Sequence, residues 1–441
     1  MIVENLEIID ITDSGQGVAK KDNVVYFIDN VVIGETVDIK IIKNKKTFYI
    51  GEKVRTVKES QYKVEFDCKY SSECSGCTIH NTDYEKQLEL KKDLVKNQIS
   101  RIGNYNIENL NIVSLNKPYF FRNKIELKVD SNSNIGYYYK KSHKLVKIEK
   151  CIVASEAINK VIPKLSEIIS KSDIKGYNYT TNKGIIKNIT LRSNYLEEVQ
   201  ITLTLAKEDF KNKDKLFEEI LKIEEVVELY YSVNTKKNSE LMGEKVKLVK
   251  SNKIFKDKIG DYEFKISTKS FFQVNNKNTK NLYDIALKQM NLQGTENILD
   301  LYCGIGTTTI YFGNKAKNTV GVEIVKDAVK DANFNKELNN IENVEFVQGK
   351  SENEIEKLLN DNIDIVVVDP PRKGLDKNLI EILGNSNIKK LEYISCNPAT
   401  LARDLKSLRE CGFQIEEIEL CDMFSHTMHV ESVVLMTRKN G

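Results

Sequence analysis

Three groups of residues in this chain have the types and spacing for chemistry. The first is a single cysteine in Ser395-Cys396-Asn397-Pro398, after an apolar run at 391–394 and before a helix start at 399–405. A loop between strand and helix, at the carboxyl edge of a sheet, is where open α/β folds keep reactive groups. A thiolate is soft, strongly nucleophilic and a fair leaving group. Cys396 therefore reads as a nucleophile rather than as a buried structural thiol.

The second group is Asp300-x3-Gly304-x-Gly306, which follows the strand-like run 298–301. Glycine has no Cβ, so the backbone there can approach a ligand closely. Glu323 ends the next strand, where a carboxylate can accept both hydrogen bonds of a ribose diol. A dinucleotide fold would carry a third small residue where this chain has Thr309. Asp300, upstream of the glycines, favours S-adenosylmethionine, whose amino group a carboxylate can help to hold. Asp369-Pro370-Pro371 adds an acid on a rigid loop after the fourth strand, where nucleobase methylases place theirs. Arg372 follows as a partner for a phosphate or a base.

The third group is Cys68, Cys74 and Cys77, spaced C-x5-C-x2-C. Three thiolates so close need a soft partner, zinc or an iron–sulfur cluster. Cys151, directly after the basic stretch 144–150, is the nearest fourth ligand. The spacing does not make two C-x2-C knuckles, which disfavours a zinc ribbon. The expectation is a [4Fe–4S] cluster on four cysteines, with a structural or RNA-positioning role.

These groups need a scaffold, and 441 residues suffice for several cores. Hydrophobic residues make up 40% and charged residues 30%, an ordinary globular balance. No stretch approaches the roughly 20 apolar residues of a membrane span. The start, Met1-Ile2-Val3-Glu4-Asn5, lacks the basic-then-apolar pattern of a secretory signal. A cytoplasmic protein with no membrane partner is expected, its eight cysteines free of disulfides.

Residues 1–58 read as short strands with lysine-rich surfaces, an OB-like barrel. Residues 59–258 read as an α+β middle domain. It opens with an amphipathic helix at 83–102, with Leu88, Leu90, Leu94 and Ile99 near one face. Tyr137-Tyr138-Tyr139-Lys140-Lys141, running on to Lys144, Lys147 and Lys150, interleaves aromatics with cations and suits stacking on bases. Residues 259–441 alternate strand and helix, the pattern of a doubly wound, Rossmann-like parallel sheet. The fold class is therefore α/β, with an N-terminal barrel and an α+β middle domain.

With these motifs in place, the chain resembles the S-adenosylmethionine-dependent RNA (uracil-5-)-methyltransferases, most closely the branch that modifies 23S ribosomal RNA. The resemblance spans nearly the whole chain. It implies a TRAM domain at 1–58 and cluster ligands Cys68, Cys74, Cys77 and Cys151. Phe271-Phe272-Gln273-Val274-Asn275 matches the pre-catalytic motif, so Gln273 is implied as a cofactor contact, with Tyr302, Glu323 and Asp369. Ser395-Cys396-Asn397-Pro398 matches the nucleophile loop and His429-Val430-Glu431 the strand carrying the base. The chain departs from the family at Thr307, where an asparagine is frequent.

The implied chemistry is addition of Cys396 to carbon 6 of uracil, methyl transfer to carbon 5, and removal of the carbon-5 proton by Glu431. The uridine must first leave its stack. The implied partner is RNA, 23S rRNA first, and a monomer is expected. The alternatives are a tRNA uracil-5-methyltransferase, an amino-methyltransferase, or a non-enzymatic RNA-binding or assembly factor on a methylase fold. Amino-methyltransferases typically place an aromatic where this chain has Arg372, and they need no cysteine.

Overall fold

The computed structural model describes residues 1–139, 142, 144–238, 240–243, 245–359 and 362–438. The chain divides into two compact units. The first holds Met1–Phe66, Cys77–Pro118 and Asn278–Gly441; the second holds Asp67–Gly76 and Tyr119–Lys277. This division differs from the three sequence segments: the helix Tyr84–Arg101 and the strand Asn111–Val113 both lie in the first unit.

In the first unit, a six-stranded sheet is closed by one bent segment. Ile2–Glu7 pairs antiparallel with Thr36–Asn44, and Asp10–Ile11 pairs with Gly17–Lys21. Between them the Ile8 N–H donates to Glu35 O (2.8 Å) and the Ile9 N–H to Val18 O (2.9 Å). The same stretch thus satisfies both edges, the device by which a barrel removes its open edges. Leu6, Ile8, Ile28, Val37 and Ile39 fill the interior.

The helix Tyr84–Arg101 begins where the Asp83 carboxylate accepts the Lys86 N–H (3.3 Å), a side-chain N-cap. Its apolar residues serve two cores. Leu90 packs with the barrel interior, whereas Val95 and Ile99 pack with Leu299, Val366 and Leu391. Lys91, fully buried on the same helix, pairs with buried Asp422 at 2.5 Å.

The catalytic-type sheet has eight strands. Their spatial order is Val344–Gln348, Asn318–Glu323, Asn297–Leu301, Ile365–Val368, Lys390–Ser395, Glu431–Arg438, Phe413–Cys421 and Asn111–Val113. The first five are parallel, and Glu431–Arg438 runs antiparallel to both of its neighbours. Ile365–Val368 and Leu391–Ile394 are wholly buried apolar runs apart from Glu392. Strands covered on both faces read that way.

The second unit has a seven-stranded sheet, ordered Leu145–Lys147, Ile135–Tyr138, Lys124–Val129, Ile186–Ser193, Val199–Leu205, Val226–Val233 and Val246–Ser251. Val199–Leu205 and Val226–Val233 are parallel, with the helix Lys213–Leu221 lying between them in sequence. That helix and Glu156–Lys171 cover the apolar core of Ile189, Leu203 and Leu229. Lys140 and Lys141 of the aromatic–basic stretch lie outside the described residues.

Candidate functional site

The carboxyl edge of the eight-stranded sheet gathers most of the expected residues. Leu301 is level with Val322 on one side and Val368 on the other. One residue further on each strand are Tyr302, Glu323 and Asp369. Sheet register alone therefore brings three separate sequence motifs to one rim.

The glycine loop crosses that rim. Gly304 has φ 56°, and a Cβ there would meet nothing within 4 Å, so the space above it is open. The Gly304 N–H donates to Glu323 Oε2 (3.1 Å), and the Val325 N–H to Glu323 Oε1 (2.7 Å). Each carboxylate oxygen keeps a lone pair for a diol. Tyr302 holds a positive φ of 69°, rare for a non-glycine residue, and its hydroxyl donates to Glu352 Oε1 (3.0 Å). Tyr302, Glu323, Ile324 and Glu352 line a hollow of about 450 Å³.

Asp300 sits beneath this loop, fully buried. Its Oδ2 accepts the hydroxyls of Thr308 (2.6 Å) and Thr309 (2.5 Å). Thr309 thus has a task in the position of the missing third glycine. Asp300 Oδ1 is buried without a hydrogen-bond partner. Burial pushes this carboxyl up to about 6, against the pull of the two threonines. An orphaned buried acceptor, an open glycine backbone and an acid for a diol fit S-adenosylmethionine: Asp300 toward its amino group, Glu323 toward its ribose.

Cys396 lies one residue past the pair Ser395↔Ser432, so the register sets it opposite Glu431. Glu431 is also paired with Cys421 on its other side and is 3% exposed. Burial, then the charge of Asp369, pushes the Glu431 carboxyl up to about 8, with Arg372 pulling it down. Burial, then Glu431 and Asp369, pushes the Cys396 thiol up to about 12; Arg372 again opposes. Burial and the nearby Asp300 push Asp369 up to about 7. Asp369 and Arg372 thus act in opposite directions on both Cys396 and Glu431. The Arg372 carbonyl accepts from Asn397 Nδ2 (3.1 Å) and Thr400 Oγ1 (3.2 Å), tying the Asp-Pro-Pro loop to the cysteine loop. Asn397 Oδ1 in turn caps the helix Pro398–Glu410 through the Ala399 and Thr400 N–H groups.

Sequence reasoning missed Glu352 and the supporting role of Arg372's backbone. An acid just after the third strand was the available signal for Glu352. Tyr283 was also missed. Its hydroxyl bonds Thr307 Oγ1 (2.9 Å), and burial, then the charges of Asp369 and others, raises its pKa.

Gln273 lies in the second unit, 7% exposed. Its carbonyl accepts from Asn123 Nδ2 (3.1 Å), and buried Arg192 binds the carbonyls of Ser267 (3.3 Å) and Ser270 (2.9 Å) just before it. Cys68, Cys74 and Cys151 are also in the second unit, and Cys77 is in the first. Burial raises the Cys74 thiol to about 11, with the Gly76 N–H opposing and Cys151 and Cys68 adding to it. Among the described residues, however, no three His, Cys, Asp or Glu side chains form a group that could hold a metal ion as they stand.

The fold and the glycine-loop rim define an S-adenosylmethionine-dependent methyltransferase. A family model described as tRNA (uracil-5-)-methyltransferase matches residues 83–439, and the chain belongs to that family. A relative from Clostridium acetobutylicum, described as an uncharacterized RNA methyltransferase, is 37% identical over 97% of this chain and 95% of its own length. One from Bacillus cereus with the same description is also 37% identical, over 97% and 95%. Among solved structures, the Pyrococcus abyssi tRNA (uracil-54, C5)-methyltransferase in complex with S-adenosyl-L-homocysteine superposes with a TM-score of 0.80. It shares 26% identity and covers 99% of this chain and 100% of its own. RNA is thus the substrate class. Among the described residues, no helix is long and apolar enough to cross a membrane.

Proposed function

We propose that this enzyme methylates carbon 5 of a specific uridine in 23S rRNA, through a covalent bond between Cys396 and carbon 6 of the base. The observation that carries the chemistry is the register that sets Cys396 opposite Glu431, beside Asp369, whereas the choice of 23S rRNA rests on the family resemblance of the sequence. Carbon 5 of uracil is a poor nucleophile. When the Cys396 thiolate adds to carbon 6, the electron pair of the 5,6 double bond moves onto carbon 5 and the ring carbonyl. S-adenosylmethionine, when bound, supplies an electrophilic methyl group on a sulfonium. Glu431, as a carboxylate, then takes the proton from carbon 5; the double bond re-forms and Cys396 leaves as thiolate. Arg372 favours the ionised forms of both residues. Asp369 holds the cofactor or the uracil edge, and Gln273 and Tyr302 add cofactor contacts.

In this reading residues 1–58 and 59–258 hold the RNA and 259–441 carry out the transfer. Cys68, Cys74, Cys77 and Cys151 would hold a [4Fe–4S] cluster of structural role, and no step of the reaction passes through it. The enzyme acts as a cytoplasmic monomer. A tRNA target is the second reading, favoured by the likeness to the archaeal tRNA enzyme.

Mapping 5-methyluridine in the 23S rRNA and tRNA of a strain lacking the protein tests the target: one missing 23S position is expected, and loss confined to tRNA selects the second reading. Cys396→Ala tests the chemistry. It should abolish tritiated methyl incorporation and trapping by 5-fluorouracil RNA while leaving S-adenosylmethionine binding intact. Normal activity in that variant removes the nucleophile assignment.

A further inference from the structure

The second unit contains an open hollow of about 570 Å³. Lys175, Lys183, Lys207 and Lys211 line it, with Asp173 the one acid of the lining. The wall is rigid. Asn178 N–H donates to Lys183 O and Ile185 N–H to Lys175 O, both at 2.8 Å, so two of the lysines stand on facing arms of a short hairpin. Gly176 lies so close to Val129 that an added Cβ would be 2.1 Å from its carbonyl oxygen.

None of the four lysines joins an ion pair among the described residues. The neighbouring acids are engaged elsewhere: Glu208 with Lys247 and Tyr231, and Asp209 with Lys213 at 3.9 Å. A second hollow in the same unit, of about 690 Å³, is a direct contrast. It too has lysines in its lining, but there Lys164 pairs with Glu225 (2.7 Å), Lys171 with Glu167 (2.5 Å) and Lys222 with Glu219 (2.6 Å). One concavity is internally neutralised and the other keeps its positive charge.

A concave wall of one sign concentrates potential and attracts a polyanion. We propose that the Lys175–Lys183–Lys207–Lys211 hollow binds the phosphate backbone of the RNA substrate. The ligand class is the phosphodiester, because unpaired ammonium groups act on phosphate as point charges and read no base. The hollow contributes affinity and salt dependence, not chemistry. The proposal rests on the RNA-methyltransferase reading but not on the role of Cys396.

The test is filter binding of the full chain to polyuridylate between 50 and 200 mM salt, without S-adenosylmethionine. Replacing Lys175, Lys183, Lys207 and Lys211 together by Ala should weaken binding about tenfold or more and reduce the salt slope by about 2 to 3. The fourfold Arg variant should bind as the native chain does. Alanine at Lys164, Lys171, Lys215 and Lys222 should change neither quantity. Lys207→Glu alone should weaken binding more than Lys207→Ala, which keeps the test decisive if the fourfold variant folds poorly. Unchanged affinity and slope in the hollow variants, or equal losses from the control set, would overturn the proposal. Because no methyl transfer is read, a failure of the Cys396 chemistry leaves this result interpretable.

Discussion

Cys396 and Glu431 stand opposite each other at the end of an antiparallel strand pair, one step beyond Ser395↔Ser432. The ladder of that pair carries Cys396, just past the last residue of its strand, and Glu431, the first residue of its own, to the same end of the sheet. Glu431 also pairs with Cys421 on its other side and is 3% exposed.

This relationship fixes a pH dependence. Burial pushes the Glu431 carboxyl up to about 8, and in the proposed mechanism it must be ionised to take the carbon-5 proton. Turnover should therefore rise with pH from 6 through about 8, and keep rising above it because the Cys396 thiol, pushed up to about 12, must ionise as well. Arg372→Gln, which removes the charge favouring the ionised forms, should shift that profile to higher pH. Glu431→Gln should permit methyl transfer but stall release, leaving a protein–RNA adduct on a denaturing gel. Free turnover by that variant would exclude Glu431 as the base.

The same carboxyls set the stability of the ligand-free protein. Glu431 and Asp369 have folded pKa values raised to about 8 and about 7, above those of the unfolded chain. The folded state then binds more protons, so stability is fully present below the unfolded pKa and is lost as pH rises through the folded one. From about pH 4.5 up to its folded value, about 7 for Asp369 and about 8 for Glu431, each carboxyl should remove up to about 1.4 kcal/mol per pH unit, and above about pH 8 the decline should level off. Urea titrations over this range should show the decline, and Glu431→Gln should flatten it.

Glu323 binds the glycine loop through Gly304 and would also accept the ribose diol. Glu323→Ala should weaken S-adenosylmethionine binding by about 10- to 100-fold in calorimetry, the scale of one or two hydrogen bonds to a charged acceptor. Glu323→Gln should fall between.

The cysteine set is decided by analysis of protein purified without air. The cluster reading expects about four irons per chain and a brown absorbance near about 400 nm. Cys74→Ser should lose both. A colourless, zinc-loaded protein would replace the cluster with zinc.

The parallel sheet and its rim were legible because four of its five parallel strands end in a local signal: glycines after 301, an acid at 323, Pro-Pro after 369 and a cysteine at 396. Residues of one rim can be read one strand at a time. Pairings across long sequence separations were not legible. Lys91 and Asp422 lie 331 residues apart, and nothing near Lys91 in an amphipathic helix marks it as buried. Barrel closure at Ile8 and Ile9 was hidden for a similar reason, since the bend is defined only by its partners Glu35 and Val18. Asp300 was legible as an acid, but its capture by Thr308 and Thr309 depends on how the helix Thr307–Gly313 turns back over the strand.

The helix Tyr84–Arg101 places Leu90 in the barrel interior and Val95 and Ile99 in the core beneath the parallel sheet. Excising the barrel would leave Leu90 facing water and uncover one end of that shared apolar spine. The two halves of the first unit are expected to melt as one cooperative body.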